Sequence, residues 1–221
     1  MATNYSPKIV TDGLVLCLEA ANRKSYSGTG TVWRDLTGSN NGTLTNEPTF
    51  SSANGGSIVF DGSNDHILGT LPLIPFNSSV TIEAVIRLNN TSSTKNIITQ
   101  GQSAVSFSCG MVIVGTELKF RNSSNDHSLS SPQVLLANQW YHLVLSTTAS
   151  GTTGYINAVS SGTTVQKVTS NSVVDYAIGK RPGATSEFMN GNIAKISIYS
   201  KALTQTEILQ NYNALKGRFG L

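Results

Sequence analysis

Two closely spaced carboxylates on one strand face would be the first sign of glycosidic-bond hydrolysis, one acting as nucleophile or base and the other as acid. Residues i and i+2 of a strand share a face, so the pattern to seek is acid-x-acid in a β-like run. None of the twelve acids of this chain forms that pair. Asp61 and Asp65 are four apart with Gly62 and Ser63 between them. That composition reads as a turn whose side-chain oxygens accept from nearby backbone N–H groups. Glu83 stands alone in Thr81-Ile82-Glu83-Ala84 and reads as outward-facing or hydrogen-bonded, not catalytic.

The other nucleophile and phosphate chemistries leave no trace either. His66 follows the Asp65 turn, His127 lies in the polar run Ser123–His127, and His142 follows Trp140-Tyr141. No Gly-x-Ser-x-Gly elbow and no Gly-x-x-x-x-Gly-Lys loop occurs. The two cysteines, Cys17 and Cys109, are too few for a four-cysteine zinc site, and both sit in apolar runs where a reduced thiol behaves as a small hydrophobe. The expectation is no catalysis.

Binding is another matter, because a saccharide is held by an exposed aromatic face together with planar polar side chains. Trp33 lies in the irregular stretch 20–56, either exposed or plugging the space under that loop, and is followed closely by Asp35, Asn40 and Asn41. These four are the candidate ligand-binding residues. Trp140, entering the regular run Asn138–Val144, reads as core.

Composition narrows the partners. Charged residues make up 12% of the 221, about half of the ~25% usual in soluble domains. The net charge of +3 is a small, scattered excess; a nucleic-acid interface needs a basic stripe, and none is visible. The N-terminus has no apolar signal core and no stretch approaches a membrane span, so synthesis in a cytoplasm without membrane insertion is expected.

The elements that must position these residues are short and mostly extended. Strands are expected at 14–19, 57–60, 64–70, 80–88, 95–100, 104–114, 117–121, 140–147, 152–158, 164–168, 173–178 and 192–199, with Gly/Asn/Ser/Thr turns between them. Spacing of roughly ten residues without helical periods indicates a β-sandwich, read as one domain over 1–221. One helix closes the chain. Thr204 and Glu207 form a capping box, Ile208, Leu209, Tyr212 and Leu215 recur at helical spacing, and Gly217 is the expected stop.

Several phrases together resemble a known family. Asp12–Ala20 is similar to the opening strand of concanavalin A-like, laminin G-like jelly rolls. Trp33–Leu44 resembles their early Trp…Asp-Leu-Ser-Gly-Asn loop, and Ser57–Asp65 their Phe-Asp-Gly-x-x-Asp segment. Thr81–Ala84, Gln139–His142 and Gly191–Leu203 complete the series in the expected order. The resemblance implies an all-β fold, two antiparallel sheets packed as a jelly-roll sandwich, with one short C-terminal helix. It also implies, for many members, a structural Ca²⁺, with Asp35, Asp61 and Asp65 as oxygen donors here. The closing strand carries Ala194 where those members have an aspartate, so the expectation is no metal and no cofactor.

The ending Gln210–Leu221 resembles that of laminin G-like modules in virion proteins of tailed bacteriophages. It implies a non-enzymatic virion protein, a capsid decoration or cement protein made in the bacterial host's cytoplasm. Its partners would be other virion proteins of the capsid or tail, with self-association reinforcing attachment. The alternative is an adhesin that recognises host surface glycans.

Overall fold

Residues 80–88 set the plan of the molecule by strict alternation. Val80, Ile82, Ala84, Ile86 and Leu88 all enter one core, while Thr81, Glu83, Val85 and Arg87 point the other way. In the computed structural model, which describes residues 8–38, 40–69, 79–102, 106–123, 125–168 and 175–221, that core lies between two eight-stranded antiparallel sheets.

The described strands are β1 (Leu14–Glu19), β2 (Val32–Trp33), β3 (Gly42–Thr45), β4 (Thr49–Ser51), β5 (Ser57–Asp61), β6 (His66–Gly69), β7 (Val80–Leu88) and β8 (Lys95–Gln102). They continue with β9 (Ser106–Val114), β10 (Glu117–Asn122), β11 (Asn125–Ser128), β12 (Trp140–Thr148), β13 (Gly151–Ile156), β14 (Val159–Thr164), β15 (Tyr176–Ile178) and β16 (Asn190–Tyr199). The first sheet runs β14-β13-β12-β7-β16-β5-β4, and β1 pairs the second half of β16 beyond the end of β5. The second runs β11-β10-β9-β8-β15-β6-β3-β2. Cys17 and Cys109 are both buried and free, and burial pushes the Cys109 thiol up to about 12.

The sandwich is the expected fold, with three local departures. The stretch 20–56 is not only loop: it holds β2, β3, β4 and a 3₁₀ turn at Ala53–Gly55. A strand expected at 164–168 lies instead at Val159–Thr164, because the two-residue turn Asn157-Ala158, both at positive φ, closes the β13–β14 hairpin early. His127 belongs to the strand β11, not to a loop. Residue 70 and the first two residues of each expected strand at 104–114 and 173–178 lie outside the described residues.

The C-terminal helix α1 (Gln205–Phe219) lies on the outer face of the first sheet. Its capping box is present: the Glu207 N–H donates to Thr204 Oγ1 at 3.3 Å and the Thr204 N–H to Glu207 Oε2 at 2.8 Å. The helix does not stop at Gly217, however. It continues to Phe219 and ends on Gly220, in the left-handed region at φ 68°, whose N–H donates to the Lys216 carbonyl. Glycine inside a helix costs about 1 kcal/mol relative to alanine, but one further turn buries Phe219, worth about 2 kcal/mol.

Ile208 joins Val10, Val144, Tyr199 and Leu203 in one apolar cluster under the helix, and Leu215 and Phe219 join Val85 and Ala194 in another. This second buried layer explains the uneven pattern of the closing strand. A bulge between Ile193 and Lys195 keeps Ile193, Ile196 and Ile198 on the inner face, while Tyr199 is buried on the outer face beneath α1.

Candidate functional site

Trp33, a candidate ligand contact if exposed, is in the core. Pairing of Val32-Trp33 with Thr43 and Gly42 turns the indole into the sandwich, where none of it is exposed. A ring with no free face does not stack on a ligand, so the expectation for Trp33 is corrected. The other three residues come together in a structural network. Asp35 Oδ1 accepts the N–H of Cys17 and of Thr37, both at 2.9 Å, and Oδ2 accepts the Thr37 hydroxyl at 2.7 Å. Asn41 Oδ1 accepts the Asp35 N–H, Asn40 Nδ2 donates to the Val15 carbonyl, and the Asn40 carbonyl accepts the Tyr176 hydroxyl. Together they tie loop 34–41 to the free edge of β1 and to the second sheet.

The Asp61–Asp65 turn behaves as its sequence indicates. Asp61 Oδ1 accepts three successive N–H groups, from Ser63, Asn64 and Asp65, while Asp65 Oδ2 accepts the Asp61 N–H at 3.0 Å. Burial opposes ionisation of Asp61, but these backbone donors outweigh it and hold its carboxyl below the ordinary value. With their oxygens aimed at backbone donors, Asp35, Asp61 and Asp65 do not fit a shared Ca²⁺ site. Among the described residues no three His, Cys, Asp or Glu side chains converge on one point.

Glu83 lies on the outer face of β7 and is sealed beneath α1. His142 Nε2 stands 2.5 Å from Glu83 Oε1, Asn211 Nδ2 donates to Oε2 at 3.1 Å, and Lys195 Nζ is 3.7 Å away. The Tyr199 hydroxyl is also within reach, at 3.3 Å. Burial alone would raise the Glu83 carboxyl; the Lys195 charge and the His142 hydrogen bond overcome it and bring it down to about 2. Glu83, His142, Lys195, Tyr199 and Asn211 are each at most 1% exposed, so this ensemble is a buried pin and not a reaction centre.

An accessible constellation lies beyond the end of the helix, on the same outer face. Antiparallel pairing sets Trp140 of β12 opposite Arg87 of β7, and Arg87 opposite Asn192 of β16, in one cross-strand row. Asn192 Nδ2 donates to Ser57 Oγ at 3.0 Å, extending the row to β5. Ser51 of β4 and Asn54 of the 3₁₀ turn complete the wall of an open groove of about 340 Å³. Trp140 is half-buried, its ring packed on Phe219 with centroids 4.9 Å apart.

Two glycines let the backbones close this groove. Gly191 is at φ +145°, and a Cβ there would meet the Arg87 carbonyl oxygen at 2.1 Å. Gly56, at φ +137°, lets the 53–55 turn approach Ala20 and Ala21, where a Cβ would sit 3.0 Å from backbone atoms.

The polar groups of the groove retain bonding capacity. Arg87 is held from behind, Nε and Nη2 donating to the Asn138 carbonyl and Oδ1 at 3.4 and 2.9 Å and Nη1 to Asn89 Oδ1 at 3.5 Å. One N–H on each terminal nitrogen is left over. Asn54 Nδ2 donates to the Arg218 carbonyl. In both Asn54 and Asn192 the amide donor is engaged while the amide oxygen accepts no protein hydrogen bond among the described residues. An aromatic ring, an arginine fork and an amide oxygen on one sheet face, with a second amide oxygen from the 3₁₀ turn, form a surface that can hold a polyhydroxylated ring.

The family described as the concanavalin A-like lectin/glucanases superfamily matches residues 60–209, and the chain belongs to it. No curated protein matches the chain. Among solved structures, domain 4 of AbnA, a GH43 extracellular arabinanase from Geobacillus stearothermophilus, in complex with arabinotriose, is similar at 18% identity. The TM-score is 0.72, with 90% of this chain and 98% of that one covered. A Trypanosoma rangeli sialidase in complex with sialic acid is similar at 17% identity and TM-score 0.67, covering 95% of this chain and 34% of that one. The binding domain of botulinum neurotoxin DC in complex with SialylT matches at 16% identity and TM-score 0.67, covering 92% and 52%. This chain thus spans about a third of the sialidase's length, at 34%. At these identities the likeness is one of fold.

Proposed function

We propose that the chain is a non-catalytic carbohydrate-recognition module that binds through the Trp140–Arg87–Asn192 row. The observation that carries this reading is a half-buried tryptophan lining an open groove beside arginine and amide groups with bonding capacity to spare. Recognition sites of this size combine an apolar surface with a few placed polar groups. The ligands bound in solved structures of this fold, arabinotriose, sialic acid and SialylT, agree with the choice of ligand class. Absence of catalysis is part of the proposal. Its support is that Asp61 and Asp65 are bonded within a turn and Glu83 is sealed under the helix. A glycan array probed with the wild-type protein and with Trp140→Ala and Asn54→Ala tests the reading. Binding that is lost in the first and weakened in the second, with unchanged far-ultraviolet circular dichroism, supports it. Binding that survives both places recognition elsewhere.

The setting we infer is the surface of a bacteriophage particle, where the module decorates the capsid or tail after synthesis in the host cytoplasm. The resemblance of Gln210–Leu221 to phage modules supports it, as does a surface low in charge, which docks against another protein with few ions to desolvate. Partner virion proteins and self-association belong to this same proposal. Antibody labelling of the particles that carry the chain tests it: label on intact virions is expected, and label confined to cell lysate would oppose it.

A further inference from the structure

We infer that the saccharide taken by this groove carries a carboxylate, which Arg87 grips while Trp140 supports the ring. The inference rests on the reading of the groove as a saccharide site and adds the class of sugar. Its basis is a charge left without a counterpart.

Several cations near the helix and on the second sheet have carboxylate partners, while Lys216 has only the Tyr212 ring and Lys95 only Ser93 among the described residues. Arg218 has Glu19 at 2.7 Å, Lys201 has Asp12 and Glu207 at 2.6 and 2.7 Å, and Arg121 has Asp126 and Glu187 at 2.6 and 2.7 Å. Arg87 has no carboxylate partner among the described residues, only neutral amide oxygens behind it. No acid lines the groove, so nothing there would repel an anion or neutralise the guanidinium.

The hydrogen-bond inventory points the same way. Arg87 offers donors alone, two of them unfilled, and a guanidinium fork matches the two oxygens of a carboxylate. Asn54 and Asn192 offer acceptor oxygens, which suit sugar hydroxyls and not an anion. The cross-strand row fixes the order, with Arg87 flanked by Trp140 on one side and Asn192 on the other. A ring laid on Trp140 therefore places its carboxylate over β7 and its hydroxyls towards β16 and the 53–55 turn. Uronic and sialic acids both present that chemistry.

Isothermal titration tests the inference with four probes: an oligogalacturonide, the same oligomer with its carboxyls reduced to alcohols, sialyllactose, and lactose. At least one acidic probe is expected to bind about tenfold or more tightly than its neutral counterpart. Arg87→Gln is expected to erase that difference, whereas Arg87→Lys, which keeps the charge but not the fork, retains part of it. The two acidic probes separate uronic from sialic recognition. Equal binding of acidic and neutral probes, lost in Trp140→Ala but unchanged in Arg87→Gln, overturns the acidic-sugar inference and leaves the groove standing. Failure of all four probes and of a broad glycan array to bind the wild type overturns the groove reading, and this inference with it. A melting temperature within a few degrees of wild type for Arg87→Gln and Arg87→Lys confirms that a loss belongs to the site.

Discussion

Asn211, the buried polar residue on the inner face of the C-terminal helix, donates to Glu83 in the middle of the first sheet at 3.1 Å. The same amide also reaches the Tyr199 hydroxyl at 3.0 Å and, through Oδ1, accepts the Val10 N–H at 2.8 Å. One side chain thus joins helix, sheet and N-terminal segment, between the apolar clusters around Ile208 and Phe219. The pin fixes where α1 lies, and α1 in turn delivers Phe219 to the back of Trp140.

Replacing Asn211 by leucine removes three buried hydrogen bonds and leaves the Glu83 carboxylate and the Val10 N–H short of partners. A stability loss of about 2–4 kcal/mol is expected. Urea unfolding monitored by circular dichroism measures it; a change below about 0.5 kcal/mol would mean that the pin contributes little.

Acid should weaken the same contact. The Glu83 carboxyl is held at about 2 in the folded protein against an ordinary 4.5, so its contribution is fully present above about pH 4.5 and is lost as pH falls towards 2. Other acids titrate in this window, which makes the comparison with Glu83→Gln the informative one. The stability gap between wild type and Glu83→Gln is expected to shrink steadily from pH 5 to pH 2.5. A gap independent of pH would show that Glu83 does not titrate in that way.

Gly191→Ala should both destabilise the protein and disturb the groove. The added methyl would sit 2.1 Å from the Arg87 carbonyl oxygen on a backbone at φ +145°, so a cost of about 2 kcal/mol or more is expected. If relaxation moves β16 from β7, the Arg87–Asn192 pairing opens and saccharide affinity falls with stability. A melting temperature equal to wild type would contradict the close approach.

Phe219→Ala tests how far the helix end supports the groove. Loss of the buried ring is expected to cost about 3 kcal/mol and to shift Trp140 emission to the red as its back face becomes wetted. Unchanged emission would mean that Trp140 does not depend on the helix.

Much of this was legible in the residues, and the failures have definite causes. Local signals carried the helix start: Thr204 and Glu207 cap it as their spacing demands. Its end was misplaced because Gly217 satisfies a local rule that tertiary burial of Phe219 overrides. Trp33 departs from its expected role for a similar reason. Trp33 sits among turn residues, and only its long-range placement in the second sheet makes it core. Trp140 packs on the Phe219 cluster, as the strand it enters suggests, but at the edge of the outer layer and half-buried. Tyr141, Leu143 and Leu145 take the inner face, so Trp140 shares the outer face with His142. That alternation was available in the sequence; the cross-strand meeting with Arg87 and Asn192 was not, because register between distant strands has no local signal.

The most direct measurement is acrylamide quenching of tryptophan fluorescence during titration with a saccharide identified on the array. Trp33 is fully buried, so quenching reports Trp140. The account predicts that saturating saccharide protects Trp140 from acrylamide and shifts its emission, and that Trp140→Ala abolishes both the signal and the binding. Saccharide binding with no change in Trp140 quenching or emission would contradict it.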